Sequence, residues 1–347
     1  MDPLISQTYN QLTGKTLNEA VFAFNQLNIV DARTGDLYFE TYGVPNTINI
    51  SNVPYERFVC YEYLMHLLKN EDPNKFTTIH KGTPYYFLAW TAFEIRNYAK
   101  AVFYMDLALG EDIRKSATTP DALNNPGGNL WKLIPCGPAT RVIQQLRDST
   151  QQVLRKFQDR TNETITIDEF VNNFVLDSIT QDVKNRSLIS SLYSYFVEVD
   201  DLIDTIKIRS QNLSSIEPFL SNLLKGGLIF ETLLKSAADR RSWIITDGRS
   251  TGNNPTTLGN FGHCSDFLTL FNISPNDFST SAPDLSSIVA SATNDLVGTS
   301  FSVTSKLRNT AGHDLRRDDI FQNSDDFRLL TEKQTNAICF VIKKAFL

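Results

Sequence analysis

The sequence predicts a mainly α-helical protein in two parts, and three observations carry that expectation. Apolar residues recur at helical spacing through most of the chain beyond residue 139, with few of the alternating runs that mark strands. A stretch between Ala117 and Pro138, with Thr119-Pro120, Asn125-Pro126-Gly127-Gly128 and Pro135-Cys136-Gly137-Pro138, cannot propagate a helix or a central strand. At 347 residues the chain exceeds one ordinary domain and suits two, each able to bury its own core. The expected division is residues 1–136, an N-terminal helical domain containing a little β, and residues 137–347, a C-terminal helical bundle with its core at about 185–347.

In the N-terminal part, Leu17 to Leu27 (LNEAVFAFNQL) has helical spacing. Asp36 to Ile50 holds the strand-like pieces LYFETYG and TINI, broken by Gly43, Pro45 and Asn46. Gly14-Lys15-Thr16 has the ending of a phosphate-binding loop, but the glycine that should open that motif is Tyr9 and no strand precedes it, which excludes it. Tyr55 to Leu68 is helical again. From Gly82 onward, Leu88, Ala89, Ala92, Ala101, Met105 and Ala108 alternate small and large residues so that two antiparallel helices can approach closely. This pattern resembles a tetratricopeptide (TPR) helix pair, with Tyr98-Ala99-Lys100-Ala101 opening the second helix. An αα-hairpin in an irregular helical domain accounts for it equally. The resemblance implies a sensing or partner-binding role.

Beyond the boundary, Ala139 to Gln158 places Val142, Leu146, Val153, Leu154 and Phe157 on one side of a helix. Ile167 to Ile179 forms the next, with Asp168 at its start. Leu188 to Ile208 carries the stripe Leu192, Phe196, Val199, Ile203 and Ile206; its acids Glu198, Asp200, Asp201 and Asp204 read as a solvated face rather than a metal site. Ile216 to Ala238 is broadly apolar and therefore central. Gly226-Gly227 within it disfavours a helix by about 1 kcal/mol each against Ala, unless another backbone approaches there. Thr246 to Ala282 is rich in Gly, Asn, Ser and Thr and reads as a mobile insertion, or as a cover over a site at its tip, Gly252 to Gly262; Phe267, Leu268, Leu270 and Phe271 suggest a short packed helix inside it. From Asp284, one apolar face of Leu285, Ile288, Val289, Ala292, Leu296, Val303 and Leu307 runs to Arg308, and a last helix spans roughly Asp325 to Phe346.

Composition excludes several functions. The formal net charge of −6 gives no global basic field to attract nucleic acid, so an RNA-acting role needs a local basic patch. Cys60, Cys136, Cys264 and Cys339 form no C-x2-C pair, which rules out zinc ribbons and redox CxxC motifs and points to reduced, mostly buried thiols. No cofactor or metal site is expected. No apolar run reaches the length of a membrane span, and Met1-Asp2-Pro3 opens no signal peptide, so the expected setting is cytoplasmic, away from membranes.

The chemistry concentrates in Leu307-Arg308-Asn309-Thr310-Ala311-Gly312-His313-Asp314. Arginine stays charged and presents a planar fork suited to phosphate oxygens. Histidine exchanges protons near neutrality. A cation that clamps a phosphate beside a proton shuttle is the minimal kit for cleaving RNA without a metal, because the ribose 2′-OH supplies the nucleophile. Five residues turn a helix by about 500°, or roughly 140° net, so Arg308 and His313 do not share a face of a straight helix; a bend at Gly312, or two copies meeting in a symmetric dimer, would let them converge. Arg316 and Arg317 add a local basic spot for flanking phosphates, though Asp314, Asp318 and Asp319 beside them fit plain surface pairing equally.

Arg308-Asn309-x3-His313 resembles the R-x4-6-H signature of the HEPN superfamily, whose members include many metal-independent ribonucleases. Gly227 to Lys235 (GLIFETLLK) is similar to that family's second helix, which sets a Glu and a basic residue among leucines; Glu231 and Lys235 are also an ordinary i, i+4 ion pair. The resemblance covers about half of the chain. It implies that Arg308 stabilises the phosphorane charge, that His313 is the general acid–base, and that Asn309 orients the phosphate or the His. It further implies RNA as substrate, a 2′,3′-cyclic phosphate product, a homodimer, a prokaryotic defence or stress setting, and an N-terminal domain that binds a partner or activator. The rival expectation is a non-catalytic helical adaptor, in which the bundle only dimerises or binds a protein or nucleic-acid partner.

Overall fold

The computed structural model describes residues 73–347 apart from positions 79, 117, 136–139, 213–216, 249, 279–283 and 312–323, together with scattered positions from 54 to 70. The expected helix at 17–27 and the strand-like pieces in 36–50 lie outside the described residues, as do Cys60, Cys136, Gly312, His313, Arg316 and Arg317. Every element among the described residues is helical. The fold class is mainly α. The chain divides into two compact units, one of residues 1–147 and 179–186 and a second of residues 148–178 and 187–347.

The first unit is organised by the antiparallel pair α1 (Gly82–Glu94) and α2 (Tyr98–Lys115). All six positions expected to form their seam, Leu88, Ala89, Ala92, Ala101, Met105 and Ala108, are fully buried. Arg96 takes positive φ in the tight connection, and the Asn97 side chain caps α2 by accepting from the Lys100 backbone N–H at 3.2 Å. Part of the turn-rich segment packs down: Leu130, Trp131 and Leu133 are fully buried, and the Trp131 indole N–H donates to the Met105 carbonyl at 3.4 Å.

Two neighbouring residues before α1 pair with two neighbouring residues of α2. His80 Nε2 lies 3.0 Å from Asp112 Oδ1, and Lys81 Nζ lies 3.0 Å from Glu111 Oε1. Burial lowers the Lys81 ammonium pKa despite that carboxylate. Gly82 sits against this cluster, where an added Cβ would lie 2.7 Å from His80 Cε1 and 2.8 Å from Asp112 Oδ1.

The second unit is a bundle of α3 (Thr140–Thr161, whose first eight residues belong to the first unit), α4 (Arg186–Asn212), α5 (Glu217–Arg241), α6 (Leu285–Ser291), α7 (Val297–Ala311) and α8 (Ser324–Val341). Helices α5, α7 and α8 pack mutually. Phe219, Leu220 and Leu223 of α5, Val303 and Leu307 of α7, and Phe327 and Leu330 of α8 form one buried cluster with Leu285 and Ile288 of α6. At about 25 cal/mol per Å² of apolar surface, each such side chain contributes about 1.5–3 kcal/mol.

Two π-helical stretches interrupt this regularity, Phe170–Leu176 and Ile342–Phe346, and their aromatic residues Phe174 and Phe346 meet edge to face at 5.2 Å. The last turn leaves carbonyls without helical partners. Arg241 supplies donors, through Nε to Ala345 O at 3.0 Å and through Nη2 to Lys344 O at 2.9 Å.

Two expectations need correction. The Thr246–Ala282 segment is no mobile insertion where it is described: Leu258, Phe261, Cys264, Phe267, Phe271 and Phe278 are buried with Trp243. Phe271 and Phe301 lie 4.9 Å apart and Phe230 and Phe301 4.9 Å, so the loop folds onto α5 and α7 through aromatic contacts. Nor does one helix run from Leu285 to Arg308. It stops at Ser291 and restarts at Val297, and Leu296, expected on the apolar face, is 67% exposed. Between them, Asp295 turns inward to Lys333 Nζ at 2.6 Å and Asn336 Nδ2 at 2.9 Å, so Leu296 points away. Asn336 also accepts from Nε and Nη2 of Arg160 at 3.0 and 2.9 Å, which ties α3, α8 and the segment just before α7 into one partly buried polar chain.

Candidate functional site

Arg308 lies in the last turn of α7, with its side chain 34% exposed. Facing it on α5 is Gly227, where an added Cβ would lie 2.7 Å from Arg308 Cβ and 3.1 Å from its Cα. The glycine thus brings the two helices to backbone distance, the circumstance under which Gly is tolerated mid-helix. One turn along α5, Glu231 points to the same place.

Its carboxylate is 10% exposed and held from both sides. Oε2 accepts from Arg308 Nε at 2.7 Å, and Oε1 lies 2.7 Å from Lys235 Nζ. The i, i+4 pair expected within α5 is therefore present, and a third partner from α7 joins it. A near-buried carboxylate is tolerated when paired in this way. The three side chains sum to one positive charge.

Arg308 is only partly used by this contact. Its Nη1 donates to Asn309 Oδ1 at 3.4 Å, a long bond, and Nη2 has no hydrogen-bond partner among the described residues. The Arg308 side chain is one-third exposed, and that of Lys235, which shares the Glu231 carboxylate, is 41% exposed. Such an arrangement presents two cations, one of them fixed in orientation, to an anionic group arriving from solvent.

Of the sequence-predicted residues, the structure places Arg308 and Asn309 side by side. His313, Arg316 and Arg317 fall within the undescribed 312–323. Glu231 is legible in the sequence as half of a helix ion pair and as the Glu of the Gly227–Lys235 resemblance; what further marks it out is its distance of one turn from Gly227, a glycine with no local reason to be in a helix. Among the described residues, no group of three or more His, Cys, Asp or Glu is placed to hold a metal ion. In the acidic stretch of α4, Glu198 Oε2 pairs with Lys225 Nζ and Asp200 with Lys156 Nζ, each at 2.8 Å. No helix among the described residues is long and apolar enough to cross a membrane. No protein-family model, no curated protein and no solved structure matches the chain.

Proposed function

We propose that the C-terminal part is a metal-independent endoribonuclease of the HEPN type, cleaving single-stranded RNA by attack of the ribose 2′-OH on the adjacent phosphate. The observation that carries this reading is the 2.7 Å contact between Glu231 and Arg308. It joins the two separate segments that resemble the family, through residues 77 positions apart in the chain, when nothing in their sequence spacing requires them to touch.

In this reading Glu231 holds the guanidinium through Nε and leaves its terminal nitrogens to meet the phosphate. Arg308 stabilises the charge that builds on the phosphorane, a form of electrostatic stabilisation that works best when the donors are oriented beforehand. Asn309 orients the phosphate or the His. His313 takes the proton from the 2′-OH or gives one to the leaving 5′-oxygen. Arg316 and Arg317 bind flanking phosphates. The active form is a homodimer, acting in prokaryotic defence or stress response, and the N-terminal part binds a partner or activator.

The test is cleavage of labelled single-stranded RNA in excess chelator by the full chain and by Arg308→Ala and His313→Ala. The expected result is cleavage leaving 2′,3′-cyclic phosphate ends, lost in both variants with helicity retained. Cleavage that persists in both variants, or that requires added metal, overturns the reading. An adaptor that merely dimerises is the second reading: the same ion pair would then serve only to hold α7 on α5, and Arg308→Ala would lower stability without any change in RNA chemistry.

A further inference from the structure

A cleft of about 500 Å³ lies between α3, α4 and α8, apart from the Arg308 site, and α3 and α4 each bring it charges of one sign. Helix α3 contributes Lys156 and Arg160, α4 contributes Asp200 and Asp204, and α8 contributes Arg328 and Glu332. The remaining wall includes Val199 and Ile203. This volume is within the usual range for small-molecule sites, but the lining is mainly charged and polar, which suits a charged ligand better than an apolar one.

Arg160 is the unusual member. Its side chain is only 17% exposed, yet among the described residues it makes no close ion pair: Glu332 Oε1 stands 4.0 Å from Nη1, beyond hydrogen-bond reach. Instead Nε and Nη2 both donate to the neutral amide oxygen of Asn336. A largely covered guanidinium is ordinarily matched by a carboxylate, often through two parallel bonds. Here it is fixed in direction by Asn336 without being neutralised at contact distance. On the same helix, Lys156 reaches Asp200 across the cleft at 2.8 Å, so the basic and acidic walls stand one side chain apart at that level.

We propose that this cleft binds a small zwitterion, of the charge pattern of a free amino acid, with its anionic group on Arg160 and its ammonium group toward the α4 carboxylates. The six lining charges cancel, so a simple anion would meet Asp200, Asp204 and Glu332, and a simple cation would meet Lys156, Arg160 and Arg328. A molecule carrying both signs satisfies each wall, and an apolar side chain would lie along Val199 and Ile203. Such binding is independent of the ribonuclease reading.

The experiment is a thermal-unfolding screen of the full chain with the twenty free amino acids, followed by calorimetric titration of those that act, with inorganic phosphate and putrescine as anion-only and cation-only controls. One or more amino acids should raise the melting temperature by about 2–4 °C at saturating concentration, as binding to the folded state alone requires, while the two controls leave it unchanged. Arg160→Gln and Asp204→Asn should each weaken binding about tenfold, the factor that about 1.4 kcal/mol of lost interaction gives. Asp204 is on the exposed rim, so its variant decides the matter even if Arg160→Gln disturbs Asn336. No response to any amino acid, an equal response to phosphate or putrescine alone, or undiminished affinity in a folded variant overturns the proposal.

Discussion

Gly227 and Arg308 meet where α5 and α7 come to backbone distance: a Cβ built on the glycine would lie 3.1 Å from the arginine Cα. Gly226, beside it, faces another neighbour, with its would-be Cβ 2.5 Å from Gln334 Oε1 and 2.9 Å from the Tyr195 ring. The two glycines therefore serve two different helix contacts, one toward α7 and one toward α8 and α4.

Gly227→Ala should destabilise the second unit. Ala gains about 1 kcal/mol in helix propensity, but overpacking against a backbone forces a shift that costs about 1–3 kcal/mol, so the net effect is a loss. Gly226→Ala should cost at least as much, since the Gln334 amide it would strike is fully buried and held by the Leu223 carbonyl at 2.7 Å and the Tyr195 hydroxyl at 3.2 Å. Urea unfolding of both variants checks the order; a Gly227→Ala protein more stable than the parent would show that α5 and α7 part easily.

Glu231→Gln keeps the shape of the side chain and removes its charge. Arg308 and Lys235 then stand close together with no carboxylate between them. Since Arg308 is one-third exposed, the expected loss is about 1–2 kcal/mol, between that of surface and buried pairs. If the ribonuclease reading holds, kcat should fall more than stability does, because the guanidinium loses its fixed direction. Steady-state kinetics alongside unfolding separates the two effects.

Acid should act on the first unit through Glu111 and Asp106 in opposite senses. Burial alone would raise the Glu111 carboxyl, but hydrogen bonds from Arg114 and Lys81 outweigh it and hold it below its ordinary 4.5. Its stabilising contribution is complete above that value and is lost as pH falls through the lowered one. Asp106 is raised above 3.8 by burial, against the pull of Arg186, so it favours the folded state on the acid side and loses that contribution as pH rises through its raised value. Unfolding free energies between pH 3 and 6, a window of about one and a half units on either side of the ordinary Glu value, should show a flatter acid loss in Glu111→Gln and a steeper one in Asp106→Asn.

Cys264 and Cys339 should resist thiol reagents in the native protein. Both are fully buried, and burial pushes the Cys339 thiol up to about 12 and the Cys264 thiol upward as well. The reactive thiolate is nearly absent at neutral pH. Peptide-level mapping after maleimide treatment should find both unmodified until denaturant is added.

The elements that can be read in advance are those whose partners lie near in sequence or whose spacing is regular. The Ala89, Ala92, Ala101 and Ala108 seam announces a close helix pair because small residues at helical spacing have few other uses. The stripe from Val142 to Phe157 forms α3, with Val142, Leu146, Val153, Leu154 and Phe157 all buried. In the Trp243–Phe278 region the short helix Ser265–Phe271 is legible but the packing is not, because the aromatic residues fall at no fixed period and their partners, Phe230 and Phe301, are distant in the chain. The break between α6 and α7 is hidden for a similar reason: an apolar period continues through it, and only Lys333 and Asn336, far downstream, reveal why Asp295 turns inward. At the site, Arg308 and Asn309 follow from the motif, but the place of Glu231 beside them is a tertiary fact. Periodicity carries no information about which of two helix faces will meet another helix at a glycine.

Asn336 faces a cation with its oxygen and a carboxylate with its nitrogen, and no exposed surface remains to either. An aspartate there would have the same size and shape but would set a second negative group against Asp295, inside a medium that screens poorly. The interior at this position thus tells apart two side chains that differ by a single atom, by the direction of a dipole and not by volume. Slow chemical ageing of that one amide would keep the Arg160 contact and break the one to Asp295, loosening the segment ahead of α7 from α8.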